Sequence, residues 1–112
     1  FVVIKHLGLA YKANKVRLGS DLAIVSMQKL QAKLILLASD ASERTQKTIR
    51  DKTSYYGIEL IDTYASEALS NTLGRANIKV VTITDEGFKR LIKSNKGSDT
   101  YAKNNQKQES KK

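Results

Sequence analysis

The sequence predicts an α/β fold: a single domain built as a three-layer α/β/α sandwich around a mixed sheet of about four strands. Three observations carry this. Short apolar runs alternate with amphipathic stretches along the chain, and glycine, serine and aspartate fall at the changeovers. The run Leu34-Ile35-Leu36-Leu37-Ala38 is continuously apolar and too short for a helix, as a central strand covered on both faces would be. Helices that cross between such strands cover both sides of the sheet.

In order, Val3, Leu7 and Ala10 share a helical stripe, with Ile4 and Tyr11 beside it and Lys5 and Lys12 outside, which predicts a first amphipathic helix. Lys15 and Arg17 then alternate with Val16 and Leu18, so a strand here separates cations from apolar chains. Gly19 turns the chain, and Ser20 and Asp21 offer acceptors to the unpaired N–H groups of a helix's first turn. Leu22, Val25, Met27 and Leu30 supply the apolar positions of a second helix running to about Lys29. After the 34–38 strand, Ser42 starts a helix through Ile49, Thr53 and Tyr56 that Gly57 stops. Ile58-Glu59-Leu60-Ile61 is the next strand, and Ser66 to Leu73 a short helix closed by Gly74. Ile78 to Ile83 is a further strand, after which Thr84 and Asp85 cap a last helix whose Phe88, Leu91 and Ile92 share a face. From about Lys93 the apolar periodicity stops, which divides the chain into a folded domain, 1–92, and a basic tail, 93–112, expected to be disordered.

With 112 residues, 40% of them hydrophobic, the chain has material for one core. It has no cysteine and one histidine, His6, which excludes disulfide frameworks and thiolate zinc sites and points to the cytoplasm. No apolar run approaches the roughly 20 residues of a membrane span. The start, Phe1-Val2-Val3-Ile4-Lys5-His6, carries no charged lead or cleavage site, so a soluble protein with no membrane partner is expected.

The net charge of +9 is uneven. Residues 1–33 hold Lys5, Lys12, Lys15, Arg17, Lys29 and Lys33 against Asp21 alone, residues 34–92 balance, and the tail holds the remaining +4. A cationic cluster around the Gly19 loop favours a polyanion over a merely solvated surface. Catalytic constellations are thin. His6 has no nucleophile beside it, while Asp85-Glu86 and Ser39-Asp40 read as charge at helix starts. Gly19 opens neither a dinucleotide fingerprint nor a P-loop. Tyr55-Tyr56 could stack bases, although at the end of an amphipathic helix one of the two more often belongs to the core. No enzyme activity, metal, cofactor or small-molecule substrate is expected.

Six stretches together carry a resemblance: Leu7-Gly8-Leu9-Ala10; Lys15 to Leu22; Ala32 to Ser42; Asp51-Lys52 with Tyr55-Tyr56; Leu73-Gly74-Arg75; and Val80 to Phe88. On these the chain resembles the YlxQ-type bacterial branch of the L-seven-Ae ribosomal-protein superfamily. The resemblance implies an α/β/α sandwich and a non-catalytic, RNA-binding role. It implies that the start of the second helix enters the widened groove at sheared G·A pairs of a kink-turn. Gly19, Ser20 and Asp21 would lie at the reading segment, Lys15, Arg17 and Lys33 on the RNA backbone, and Arg75 and Asn77 in a loop near the bulged nucleotide.

Relatives read with Gly-Thr-Asn-Glu and a following lysine; this chain has Gly19, Ser20, Asp21 and Leu22, and then Val25 at the lysine. The expected partner is structured RNA, kink-turn-like or ribosomal, with the ribosome as its setting. The alternative is a ribosome- or translation-associated protein-interaction or assembly module without specific RNA readout. The RNA reading expects Lys15, Arg17, Lys33 and Arg75 to converge around the Gly19 turn.

Overall fold

The computed structural model describes residues 2–94 and the pair Thr100–Tyr101. Strand β1 is Val2–Val3, helix α1 Lys5–Lys12, β2 Val16–Leu18, α2 Ser20–Gln28, β3 Leu34–Leu37 and α3 Glu43–Tyr56. Then follow β4 Glu59–Ile61, α4 Ser66–Leu73, β5 Val80–Ile83, α5 Glu86–Ser94 and β6 Thr100–Tyr101.

The four-stranded sheet has the order β2-β5-β3-β4. β5 is antiparallel to both β2 and β3, and β3 is parallel to β4. Central β3 and β5 are buried at every residue, as the apolar run at 34–37 requires of a strand with helices on both sides. α2 and α3 pack together in one layer, and α1 meets both α4 and α5 in the other. The predicted sandwich is the observed fold.

The pairing fixes a polarity that matters below. Because β5 runs against both its neighbours, β2, β3 and β4 all point the same way. α2, α3 and α4 follow those strands, so all three begin at one end of the sheet, and α5 begins at the other.

Helix α3 shows its local logic most plainly. Ser42 accepts from the Thr45 N–H at 3.2 Å, and Gly57 ends the helix in the left-handed conformation (φ 70°) that a side chain would strain.

Several expectations shift. Val3 lies in a strand rather than on the first helix: β1 pairs antiparallel with β6, Val2 opposite Tyr101 and Val3 opposite Thr100, an extended setting that suits β-branched valines. The tail reading changes at two places, since α5 continues through Ser94 and Thr100–Tyr101 is paired; the rest of 93–112 lies outside the described residues. In α2 the buried face is Ala23, Ser26 and Met27, whereas Leu22 (47% exposed), Val25 (38%) and Leu30 (77%) face outward. Ala23, Ser26 and Met27 turn toward the sheet, where α2 packs against β5, and that choice rotates Leu22 and Val25 to the surface. In α5, Ile92 is buried and Phe88 packs on the core, but Leu91 is 43% exposed.

Leu30 closes α2 in a Schellman arrangement, with its N–H donating to the Met27 carbonyl at 3.0 Å and that of Gln31 to Ser26 at 2.8 Å. It does so at φ 59°, a left-handed conformation that branched chains disfavour. On the far edge, Glu59 of β4 holds α5 through Lys89 (2.9 Å) and Lys93. Hydrogen bonds from Lys93 and then Lys89 draw the Glu59 carboxyl down from 4.5 to about 2. The same contact raises Lys89.

Two outcomes follow. Leu30→Gly should raise unfolding stability by about 1 kcal/mol, measured by urea titration, because relief of the left-handed strain outweighs the loss of an exposed side chain. A carboxylate depressed on folding stabilises above its unfolded pKa and ceases to as pH falls through the folded value. The stability margin of the wild type over Glu59→Gln should therefore hold above pH 4.5 and shrink toward pH 2, as read from melts across that range.

Candidate nucleic-acid interface

A helix's first N–H groups lack partners within the helix, and each helix start here can be asked what meets them. At α3 it is the Ser42 side chain. At α4 it is Asp40, distant in sequence, whose carboxylate accepts from the Ser66 N–H and from the Ser66 hydroxyl, both at 2.7 Å. Those bonds, backbone first, hold the Asp40 carboxyl below its ordinary value, with Lys79 adding a smaller electrostatic pull. At α5, Asp85 accepts from the Phe88 N–H at 2.9 Å.

α2 differs from these three. Its cap is Gly19, which has no side chain to offer, and no side-chain hydrogen bond closes this end. Ser20 and Asp21 were expected to supply acceptors, but both lie inside the first helical turn rather than at the cap. The first intrahelical bond runs from the Ala23 N–H to the Gly19 carbonyl at 3.1 Å, so the N–H groups of Ser20, Asp21 and Leu22 have no acceptor within the helix.

Gly19 is held in place by its own N–H, which donates to the Val80 carbonyl at 2.9 Å and extends the β2–β5 pairing by one step. Its backbone (φ 97°, ψ 158°) lies in a region essentially reserved for glycine. The strand therefore delivers α2 with an open, partially positive end.

The sequence-predicted site residues fall into groups. Gly19, Ser20 and Asp21 sit where β5 begins, and Asn77, exposed and left-handed (φ 58°), lies three residues before Val80 in the loop leading into that strand. Lys15 and Lys33 sit at the opposite end of β5: the Lys15 carbonyl accepts from Thr84 at 2.9 Å, and the Lys33 N–H donates to Ile83 at 2.8 Å. Four residues of strand put Lys15 about 13 Å from Gly19. The expected convergence of these cations on the Gly19 turn is not what the structure holds: Lys15 and Lys33 lie at the other end of the sheet, because the register of β5 separates them from Gly19 by the length of the strand.

Arg17 lies midway along β2, paired with Thr82. Its Nη1 donates to the Val16 carbonyl at 2.9 Å and to Asn14 at 3.2 Å, which covers part of an edge strand that would otherwise be open. Arg75 Nη1 donates to the Tyr11 hydroxyl at 3.0 Å, joining its loop to α1.

Ion pairing sharpens the charge asymmetry. Among the described residues, Lys47, Arg50, Lys79, Lys89, Arg90 and Lys93 form salt bridges with carboxylates, whereas Lys5, Lys12, Lys15, Arg17, Lys29, Lys33 and Arg75 form none. The field of the first third of the chain is therefore not cancelled by neighbouring acids. Sequence reading missed Asp40 as the cap of α4 and the exposure of Leu22 and Val25. The first is a contact across 26 residues, and the second depends on how α2 sits on the sheet.

A small α/β/α module with an open helix start directly after an edge strand, and with unpaired cations along that strand, is equipped for binding rather than for bond-making. The chain belongs to the Ribosomal protein L7Ae/L30e/S12e/Gadd45 family, whose pattern matches residues 3–93. It is 40% identical over 82 residues to the RNA-binding protein YlxQ of Bacillus subtilis (strain 168), covering 73% of this chain and 82% of that protein. With the RNA-binding protein YlxQ of Enterococcus faecium it shares 34% identity over 87 residues, covering 78% and 84%. Among solved structures, a Bacillus halodurans C protein described as of unknown function superposes with a TM-score of 0.78 at 28% identity, covering 81% of this chain and 92% of that one. The Giardia lamblia 15.5kD RNA binding protein superposes at 0.70 with 13% identity, covering 85% and 82%, a likeness of fold.

Proposed function

We propose that this protein is a non-enzymatic RNA-binding protein that docks structured RNA, kink-turn-like or ribosomal, at the start of α2. The observation that carries this is the contrast between helix ends. α3 and α4 begin at the same end of the sheet with a side chain on one first-turn N–H each, Ser42 on that of Thr45 and Asp40 on that of Ser66, while α2 has no side-chain cap and presents the N–H groups of Ser20, Asp21 and Leu22 to an incoming acceptor. Phosphate oxygens and base edges are such acceptors. The names carried by the two YlxQ relatives support RNA binding as such.

Arg17, Lys15 and Lys33 supply sequence-independent attraction along the β2 edge and beyond it. Asn77 offers an amide beside the same end of β5. Asp21 can accept from a guanine N1–H or N2–H, but Leu22 and Val25 read no base edge through hydrogen bonds. The RNA is the route by which the protein would join the ribosome and translation in the cytoplasm.

One observation favours a second reading, a translation-associated protein-interaction module. Leu22 and Val25 stand exposed on the outward side of α2, where an apolar partner surface could cover them.

Ser20→Glu separates binding from folding. A carboxylate in the first turn favours the helix, by about 0.3–1 kcal/mol, yet repels phosphate at the docking point. Titrated by fluorescence anisotropy against a kink-turn RNA and an unkinked duplex, the wild type should prefer the kink-turn. The variant should bind it roughly tenfold more weakly, with an unchanged melting temperature or a slightly higher one. Equal, steeply salt-dependent binding of both RNAs would reduce the function to electrostatics alone. No binding of either at low salt would leave the protein-interaction reading.

A further inference from the structure

α3 carries a second feature that docking at α2 does not use. Tyr55 and Tyr56 are adjacent, but only Tyr56 packs against the core; Tyr55 is 82% exposed. Their rings meet edge to face, with centroids 4.9 Å apart and planes at 88°, so Tyr56 braces Tyr55 by an edge contact without stacking on it. Among the described residues, Tyr55 lines a shallow surface groove of about 450 Å³ together with Thr48, Asp51 and Lys52.

These residues recur at helical spacing, and Arg44 continues the same stripe one turn toward the start of the helix. Neither Arg44 nor Lys52 forms a salt bridge among the described residues, while Asp51 is held by Lys47 at 3.2 Å. An aromatic face, a carboxylate acceptor, a hydroxyl and two free cations thus lie along one line.

We propose that this groove seats an unstacked base of a single-stranded RNA segment, with its ring on Tyr55, its exocyclic or imino N–H groups on Asp51, and the flanking phosphates near Lys52 and Arg44. Stacking on an exposed aromatic beside cations is how single strands are held without a sequence code. The acceptor adds a bias toward bases that present donors. An apolar protein segment would have less use for two unpaired cations and a carboxylate in so short a track.

This inference rests on the RNA-binding reading and extends it. α2 and α3 lie side by side and begin at the same end, so a strand leaving the Gly19 docking point can run down α3 past Arg44 and reach Tyr55 about 16 Å further on.

The test uses the full chain with a structured RNA that it binds, prepared with and without a single-stranded purine extension. Tyr55→Ala and Tyr55→Phe are compared by anisotropy. Tyr55→Ala should bind the extended RNA about tenfold more weakly than the wild type does and the trimmed RNA equally well, while Tyr55→Phe keeps the wild-type affinity for both. If Tyr55→Ala binds the extended RNA as the wild type does, the groove serves something other than RNA, such as a protein segment, and the proposal is overturned while RNA docking at α2 stands. Equal weakening on both RNAs also overturns it, because the extension would not be what Tyr55 meets. A wild type that binds neither RNA removes the proposal together with the reading beneath it.

Discussion

The antiparallel pairing of β5 with both β2 and β3 decides where the helices of this domain begin. With β5 reversed between them, β2 and β3 must run together, and parallel β4 joins them. Three helix starts are thereby collected at one end of the sheet, each with N–H groups to satisfy. Two are capped from within the chain, at the Thr45 N–H by Ser42 and at the Ser66 N–H by Asp40. The third follows Gly19, whose N–H is committed to Val80 and whose missing side chain leaves the helix end open. The docking point is thus a consequence of topology and of one residue without a Cβ.

Charge then gives that opening a direction. The acids of the domain lie after residue 33 apart from Asp21, and most of the cations there, though not Arg44, Lys52 or Arg75, are taken up in pairs such as Arg50–Asp62 and Lys89–Glu59. The cations of the first third keep no acidic partner among the described residues. Surface pairs of this kind contribute little to stability. Their larger effect is to remove positive field from the β4–α5 edge and leave it along β2. Arg17 shows how one residue can serve twice, since its guanidinium covers the strand edge while its charge remains without an acid.

What could be read from the sequence follows from how local each signal is. β3 declares itself by an unbroken apolar run, and α3 by a serine and a glycine at its two ends, because strand burial and helix capping are decided within a few residues. The glycine turn and the helix after it were legible for the same reason. The buried face of α2 was not, because Ala23 and Ser26 face the sheet through close packing rather than hydrophobicity, and Leu22 and Val25 are then left outside. Val2–Val3 became a strand through residues near the other end of the chain. Lys15 and Lys33 read as neighbours of Gly19 until the register placed them at the far end of β5. Tyr55 and Tyr56 divide as helical geometry allows, one half-buried against the core and one in water, but which is which depends on the layer α3 packs against.

The claim that RNA meets the open end of α2 is tested most directly by following backbone amide resonances of the intact protein during titration with a structured RNA. The account predicts the largest shifts at Ser20, Asp21 and Leu22, with Asn77 moving alongside. The amides of Thr45 and Ser66, already bound to Ser42 and Asp40, should stay nearly still. Strong perturbation confined to the Glu59–Lys89–Lys93 side, with the amides after Gly19 unmoved, would contradict it.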